Sequence, residues 1–291
     1  MDDRTLMLLS SSGGGCCLVF ALVAAYLLSK KNDGGGGGTG PGNSNAPGTP
    51  LPVPANSKGT APWYVVSMTN PQNFAWESGA LRVNYVSGKW ASDSGAGFHA
   101  NPWKVLPKES CTLSYDVYLP PNFKFNKGGK LPGVCIGVSE RDCSTGGRWS
   151  ADGGSARVMF RENGVAIGYL YLALGDPDSA AKAQTAAYRQ VLVTTHAGHE
   201  LWKKQAALKF VPGKWNNVSL RVVLNTPGKT DGSFSLTVNG VTKTVPVMWR
   251  KTSKSKITNV DVVSFFGGGS SDWAAPPGMW SRLANFKFAA S

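Results

Sequence analysis

Five side chains on three short segments have types and spacing that could do chemistry together. They are Lys130 in Gly128-Gly-Lys-Leu-Pro-Gly133, Ser155 and Arg157 in Gly154-Ser-Ala-Arg157, and Tyr169 and Tyr171 in Gly168-Tyr-Leu-Tyr171. Two cations can neutralise a carboxylate, while a hydroxyl and two phenols can position a sugar or move protons beside it. β-Elimination from a uronate polymer needs that inventory. The C5 proton leaves, the glycosidic oxygen at C4 is expelled, and the intermediate carries extra charge on the carboxylate, where fixed cations act most strongly. The Arg157 fork matches a carboxylate bidentately. Lys130 could share that role, or serve as base if neighbouring cations depress its pKa. Either tyrosine could take the proton while the other protonates the leaving oxygen, and both phenolic pKa values are expected to fall beside Lys and Arg. Ser155 is expected to position a carboxylate or hydroxyl, because elimination needs no covalent intermediate. Taken singly, Arg157 reads as a solvated strand residue and Tyr169-Leu-Tyr171 as half-buried strand, so convergence decides the matter.

Strand alternation sets the geometry. Ser155 and Arg157 share one face, opposite Ala156, Val158 and Phe160, and Tyr169 and Tyr171 share a face opposite Leu170 and Leu172. Arg161-Glu-Asn-Gly-Val165 reads as a hairpin connection. A two-residue Asn163-Gly164 loop would set Arg157 across from Leu170. A three-residue Glu162–Gly164 loop with Gly164 left-handed sets Arg157 across from Tyr169 and Ser155 across from Tyr171, and this register is expected.

The remaining pattern from Pro62 onward predicts an all-β jelly roll or sandwich of two antiparallel sheets. Alternating runs occur at 81–86, 111–118, 131–138, 156–160, 165–174, 218–224, 233–238 and 260–266, with Asp231-Gly232 and Asn239-Gly240 as turns. Two short helices are expected at 179–187 and 199–208. Residues 62–291 form the domain. Residues 32–61, rich in Gly, Pro, Ser and Asn, read as a disordered, flexible linker. Residues 5–29 carry no charge and include the apolar run 16–28, so 1–31 reads as a single-pass transmembrane helix, a membrane anchor, with a cleaved signal peptide and secretion as the rival.

Of 291 residues, 42% are hydrophobic and 16% charged, enough for a substantial core. Thirty Lys and Arg against seventeen Asp and Glu give +13, almost all of it beyond residue 61. Such a field attracts polyanions. No nucleic-acid-reading motif is present, so nucleic acid is not an expected partner. Cys111, Cys135 and Cys143 lie in the domain; Cys135 and Cys143 could pair, with buried free thiols the default. The cysteine spacing matches no zinc site, and no metal or cofactor is expected. His99, His196 and His199 read as surface histidines, an auxiliary proton-transfer role being the alternative. Lys104, Lys108, Arg148 and Lys214 are candidates to line subsites.

Residues 113–133, 155–160 and 168–171, continuing through 210–215, 224–232 and 265–273, resemble polysaccharide lyase family 14. The resemblance implies a β-jelly roll with a basic cleft on one sheet, elimination of alginate- or glucuronan-type polymers, and a catalytic set of Lys130, Ser155, Arg157, Tyr169 and Tyr171. Its chlorella-virus members imply a viral enzyme used on an algal cell wall, associated with a virion or membrane. The alternatives are a noncatalytic glycan-binding module and a structural virion membrane protein with a lyase-like fold.

Overall fold

The computed structural model describes residues 49–51 and 61–291, all within one compact unit, Gly40–Ser291. The strands in chain order are β1 (Thr49–Pro50), β2 (Val65–Thr69), β3 (Phe74–Glu77), β4 (Ala80–Asn84), β5 (Ala96–Ala100) and β6 (Ser110–Tyr118). Next come β7 (Gly129–Gly137), β8 (Gly154–Phe160), β9 (Ala166–Tyr171), β10 (Leu192–Thr195) and β11 (Gly198–Leu201). The last five are β12 (Trp215–Val223), β13 (Gly232–Val238), β14 (Val241–Val247), β15 (Lys256–Phe266) and β16 (Trp280–Ala290). They form two antiparallel eight-stranded sheets, β14-β13-β12-β6-β16-β4-β3 with β1 on β16, and β10-β11-β9-β8-β7-β15-β5-β2. The all-β, two-sheet expectation holds.

The core lies between the sheets. Leu113, Tyr115, Val117, Val218, Leu220 and Leu283 enter from one side, and Val134, Ile136, Ala156, Val158, Leu170 and Val260 from the other. β12 and β13 alternate buried with half-exposed or exposed residues, as strands wet on one face must. β7 and β8 are buried at every position. Their second face is covered by the 138–153 loop, and that covered face carries the residues of interest.

Several local expectations change. The 199–208 stretch is not helical: His199 and Leu201 pair in β11 with Leu170 and Gly168 of β9. Pairing at a sheet edge, with Leu201 and Trp202 buried, outweighs local helix preference. The helix expected at 179–187 is split into α1 (Pro177–Lys182) and α2 (Ala186–Val191). At the break Gln184 turns inward, accepting from Met248 N and donating to Met248 O. Within the stretch read as linker, Thr49 and Pro50 pair with Phe288 and Lys287, and Leu51 is buried. Among the described residues no helix is long and apolar enough to cross a membrane. The anchor expected at 1–31 and most of the expected linker lie outside the described residues.

Candidate active site

The β8–β9 hairpin has the register that brings the candidate residues together. Ser155 faces Tyr171 and Arg157 faces Tyr169. Arg161 N donates to Val165 O at 2.7 Å, which leaves Glu162–Gly164 as a three-residue turn. Gly164 is left-handed at φ +74°, and a Cβ there would meet Phe210 O at 2.5 Å, so glycine is required twice over.

Across the strands the register builds a transverse row. His99 pairs with Asp261, Asp261 with Gly133, Gly133 with Arg157, Arg157 with Tyr169, and Tyr169 with Glu200. The neighbours of these residues, Phe98, Val260, Val134, Ala156, Leu170 and Leu201, point into the core, so the row lies on the outer face. Gly133 leaves the gap through which Arg157 reaches Asp261, with Nη2 2.6 Å from Oδ2. A Cβ on Gly133 would lie 2.1 Å from Ala156 O.

Lys130 reaches this face through an irregularity. Residues 130 and 133 would face opposite ways in a regular strand, but β7 shifts register between Leu131 and Gly133, and β15 shifts between Asp261 and Phe265. Lys130 therefore pairs with Met159 and Phe265 on the outer face. Its ammonium donates to Thr145 Oγ1 at 2.9 Å and lies 5.1 Å from the Tyr169 ring centroid.

The loop after β7 is fastened over this cluster. Ser155 Oγ donates to Ser144 O at 2.8 Å, Gly147 N donates to Tyr171 Oη at 2.8 Å, and Trp149 packs on the Tyr171 ring at 5.0 Å. Cys143 is disulfide-bonded to Cys135, against the expectation of free thiols. The loop returns Cys143 across the outer face to within 4.9 Å of Cys135, Cα to Cα, where bridging is geometrically natural. Lys130, Arg157 and Tyr169 keep 6%, 3% and 4% of their surface exposed, whereas Ser155 and Tyr171 keep none. The first three thus face what solvent reaches the site, and the last two brace the loop.

Burial dominates the electrostatics. It pushes the Lys130 ammonium well below its ordinary pKa, helped by the Arg157 and Arg161 cations and opposed by Asp261. Tyr169 moves the other way from the expectation: burial, then Tyr171, raises its pKa, and the nearby Arg161 cation does not offset this. Its hydroxyl donates to Ala197 O at 2.7 Å and lies 3.4 Å from Tyr171 Oη. Burial disfavours a charged Asp261, but Arg157, His99 and Lys130 together hold it below the usual carboxylate range. Arg157 Nε is buried with no hydrogen-bond partner.

Asp261 was not singled out from sequence, although an acid inside Val260-Asp-Val-Val was the available signal. Glu200, buried and ion-paired to Arg161 and Lys203, was missed because 199–208 read as helix. His99 lies half-exposed in the row, 3.4 Å from Asp261 Oδ1. His199 is buried rather than on the surface, with Nδ1 2.9 Å from Tyr188 Oη and Nε2 3.0 Å from Pro177 O. Burial lowers its pKa. Its Nε2–H serves the carbonyl, so it is a structural imidazole away from the row. Among the four subsite candidates, Arg148 lies exposed on the loop over the site, and Lys214 precedes β12 on the opposite sheet.

With its serine hydroxyl committed to a backbone carbonyl, the site is not set up for a serine nucleophile, and the buried cations and phenols on the outer face of one sheet are the groups left to do chemistry. The chain belongs to the Polysaccharide lyase 14 family, whose sequence signature matches residues 74–286. It is 26% identical to the marine PL-14 alginate lyase of Aplysia kurodai, with a TM-score of 0.67 over 78% of this chain and 90% of that one. Alginate lyase vAL-1 from Chlorella virus superposes with a TM-score of 0.66 at 24% identity, covering 80% and 95% of the two chains. Exolysin of Paramecium bursaria Chlorella virus 1 is 30% identical over 179 residues, 55% of this chain and 26% of that protein. The chain thus spans about a quarter of that relative's length.

Proposed function

We propose that this protein cleaves a uronate-containing polysaccharide of alginate or glucuronan type by β-elimination. The observation that carries the reading is the meeting of Lys130, Arg157 and Tyr169 on one face, each keeping only a sliver of exposure. Arg157, braced by Asp261 and with its Nε–H unpartnered, holds the uronate carboxylate and stabilises the charge that builds there. Lys130, depressed by burial and two neighbouring guanidinium groups, is available as the neutral amine that takes the C5 proton. Tyr169, kept protonated by burial, gives its proton to the departing C4 oxygen. The C5–H and C4–O bonds break, a C4–C5 double bond forms, and no covalent enzyme intermediate is needed. Tyr171 and Ser155 hold the loop that carries Thr145 and so keep Lys130 aimed.

The likeness to chlorella-virus proteins supports an algal-wall polymer as substrate and a virion or virus-associated membrane as the location, with 1–31 as anchor and 32–61 as tether. The test is growth of ultraviolet absorbance from the unsaturated uronate when purified protein meets alginate, glucuronan and algal wall over a range of pH. Absorbance with none of them overturns the lyase reading in favour of glycan binding without turnover.

A further inference from the structure

Four ligand-type side chains, three from different strands and one from the covering loop, converge beside the row. His99 on β5, Cys135 on β7, Cys143 on the covering loop and Asp261 on β15 place one donor atom each within 4.8 Å of all the others. His99 Nε2 and Asp261 Oδ1 lie 3.4 Å apart. That is close to the ligand-to-ligand edge of a tetrahedral zinc site, about 3.3 Å for metal–ligand bonds of about 2.0–2.1 Å. Asp261 divides its oxygens, Oδ1 towards His99 and Oδ2 on Arg157 at 2.6 Å. Arg157 Nη2 also lies 3.4 Å from Cys143 Sγ. The His99 side chain is 28% exposed, which gives the cluster an opening to solvent.

We propose that once the Cys135–Cys143 disulfide is reduced, His99, Cys135, Cys143 and Asp261 bind one zinc(II) ion. A dithiol supplies the two electrons and two protons and leaves as its own disulfide, giving two cysteine thiols. Metal binding then releases both thiol protons. Two thiolates, one carboxylate, a neutral imidazole and the ion sum to a charge of −1, which Arg157 offsets. The guanidinium already touches Asp261 Oδ2 and Cys143 Sγ, the outer-shell contacts that orient metal ligands. Coordination through Oδ1 leaves the Arg157–Asp261 pair in place.

Zinc would then replace the disulfide as the tie that holds the loop of Ser144, Thr145 and Gly147 on the site. In a reducing compartment, where a disulfide does not persist, the site keeps its covering loop. That consequence rests on the lyase reading, whereas metal binding itself is independent of it.

The test uses the full chain with Cys16→Ser and Cys17→Ser, which removes the other adjacent thiols; Cys111 lies buried on the opposite sheet. Cobalt(II) is titrated as the probe into phosphine-reduced and oxidised protein under argon. The expected result is thiolate-to-cobalt charge transfer and tetrahedral visible bands at one equivalent in the reduced protein, with none in the oxidised. Zinc should displace the cobalt and raise the melting temperature of the reduced form alone. His99→Ala, which removes a direct ligand, should weaken binding by more than the about 10- to 100-fold that loss of an outer-shell partner costs. Asp261→Asn provides the second ligand variant. No charge transfer after reduction, or unchanged affinity in His99→Ala, overturns the proposal.

Discussion

Replacing Asp261 by Asn isolates the electrostatic brace of the site, because the change keeps the shape and removes the charge. The Asp261 side chain is fully buried, that of Arg157 nearly so, and the two lie 2.6 Å apart. Removing one partner of such a pair strands the other charge away from water, which costs about 3–5 kcal/mol. At about 2–4 °C per kcal/mol for a domain of this size, the melting temperature should fall by about 6–20 °C, measured by circular dichroism at neutral pH. The difference has a pH signature. The folded pKa of Asp261 is depressed, so its contribution is full above the ordinary value of 3.8 and is lost as pH falls through the folded value. Wild type and variant should therefore converge in acid. A second readout concerns catalysis. Asp261 raises the Lys130 pKa, so removing its charge should lower that pKa further. A base must be deprotonated to act, and the acidic limb of the kcat/KM profile should move to lower pH in Asp261→Asn. A melting temperature within about 2 °C of wild type at neutral pH, well under that range, or a limb displaced to higher pH, would count against Asp261 as the brace of Arg157.

Other perturbations probe separate links. Gly133→Ala forces a methyl against Ala156 O and the Arg157 backbone, at 2.1 and 2.7 Å; overpacking of this kind costs about 1–3 kcal/mol or more, and activity should fall together with melting temperature. Cys143→Ser opens a loop whose ends are eight residues apart, which by loop-closure entropy costs about 2.5 kcal/mol, read from denaturant midpoints in metal-free buffer. Tyr171→Phe leaves the Gly147 N–H without its acceptor, at about 1–3 kcal/mol. If Tyr171 positions the loop and does not transfer the proton, the variant keeps the wild-type pH profile at reduced amplitude.

Much of this architecture was legible because alternation and turn chemistry are local. Of the two loop lengths weighed at Asn163-Gly164, the expected three-residue turn is the one formed, and it sets Arg157 against Tyr169. The approach of Lys130 was legible only through family resemblance. Its facing depends on the register shift beyond Leu131, and nothing in Lys-Leu-Pro-Gly states which face a bulged strand presents. Asp261 was hidden because its partner lies two strands away across a glycine, a relation set by sheet order. The rise in the Tyr169 pKa was misjudged because sequence shows neighbouring charges but not burial, and burial proved the larger effect. The 199–208 segment failed for a related reason: its composition suits a helix, but a free edge on β9 was waiting for a strand.

That Lys130 is the base is tested by kcat/KM against pH for Lys130→Ala on a cleaved polyuronate, with and without added small primary amines. The variant should lose about 10²–10⁴-fold in rate, lack the acidic limb, and be partly rescued by the amine in its neutral form. A variant that keeps more than about a tenth of wild-type activity, far above the loss general-base removal entails, while Tyr169→Phe abolishes turnover, would contradict it and pass the proton to the phenol.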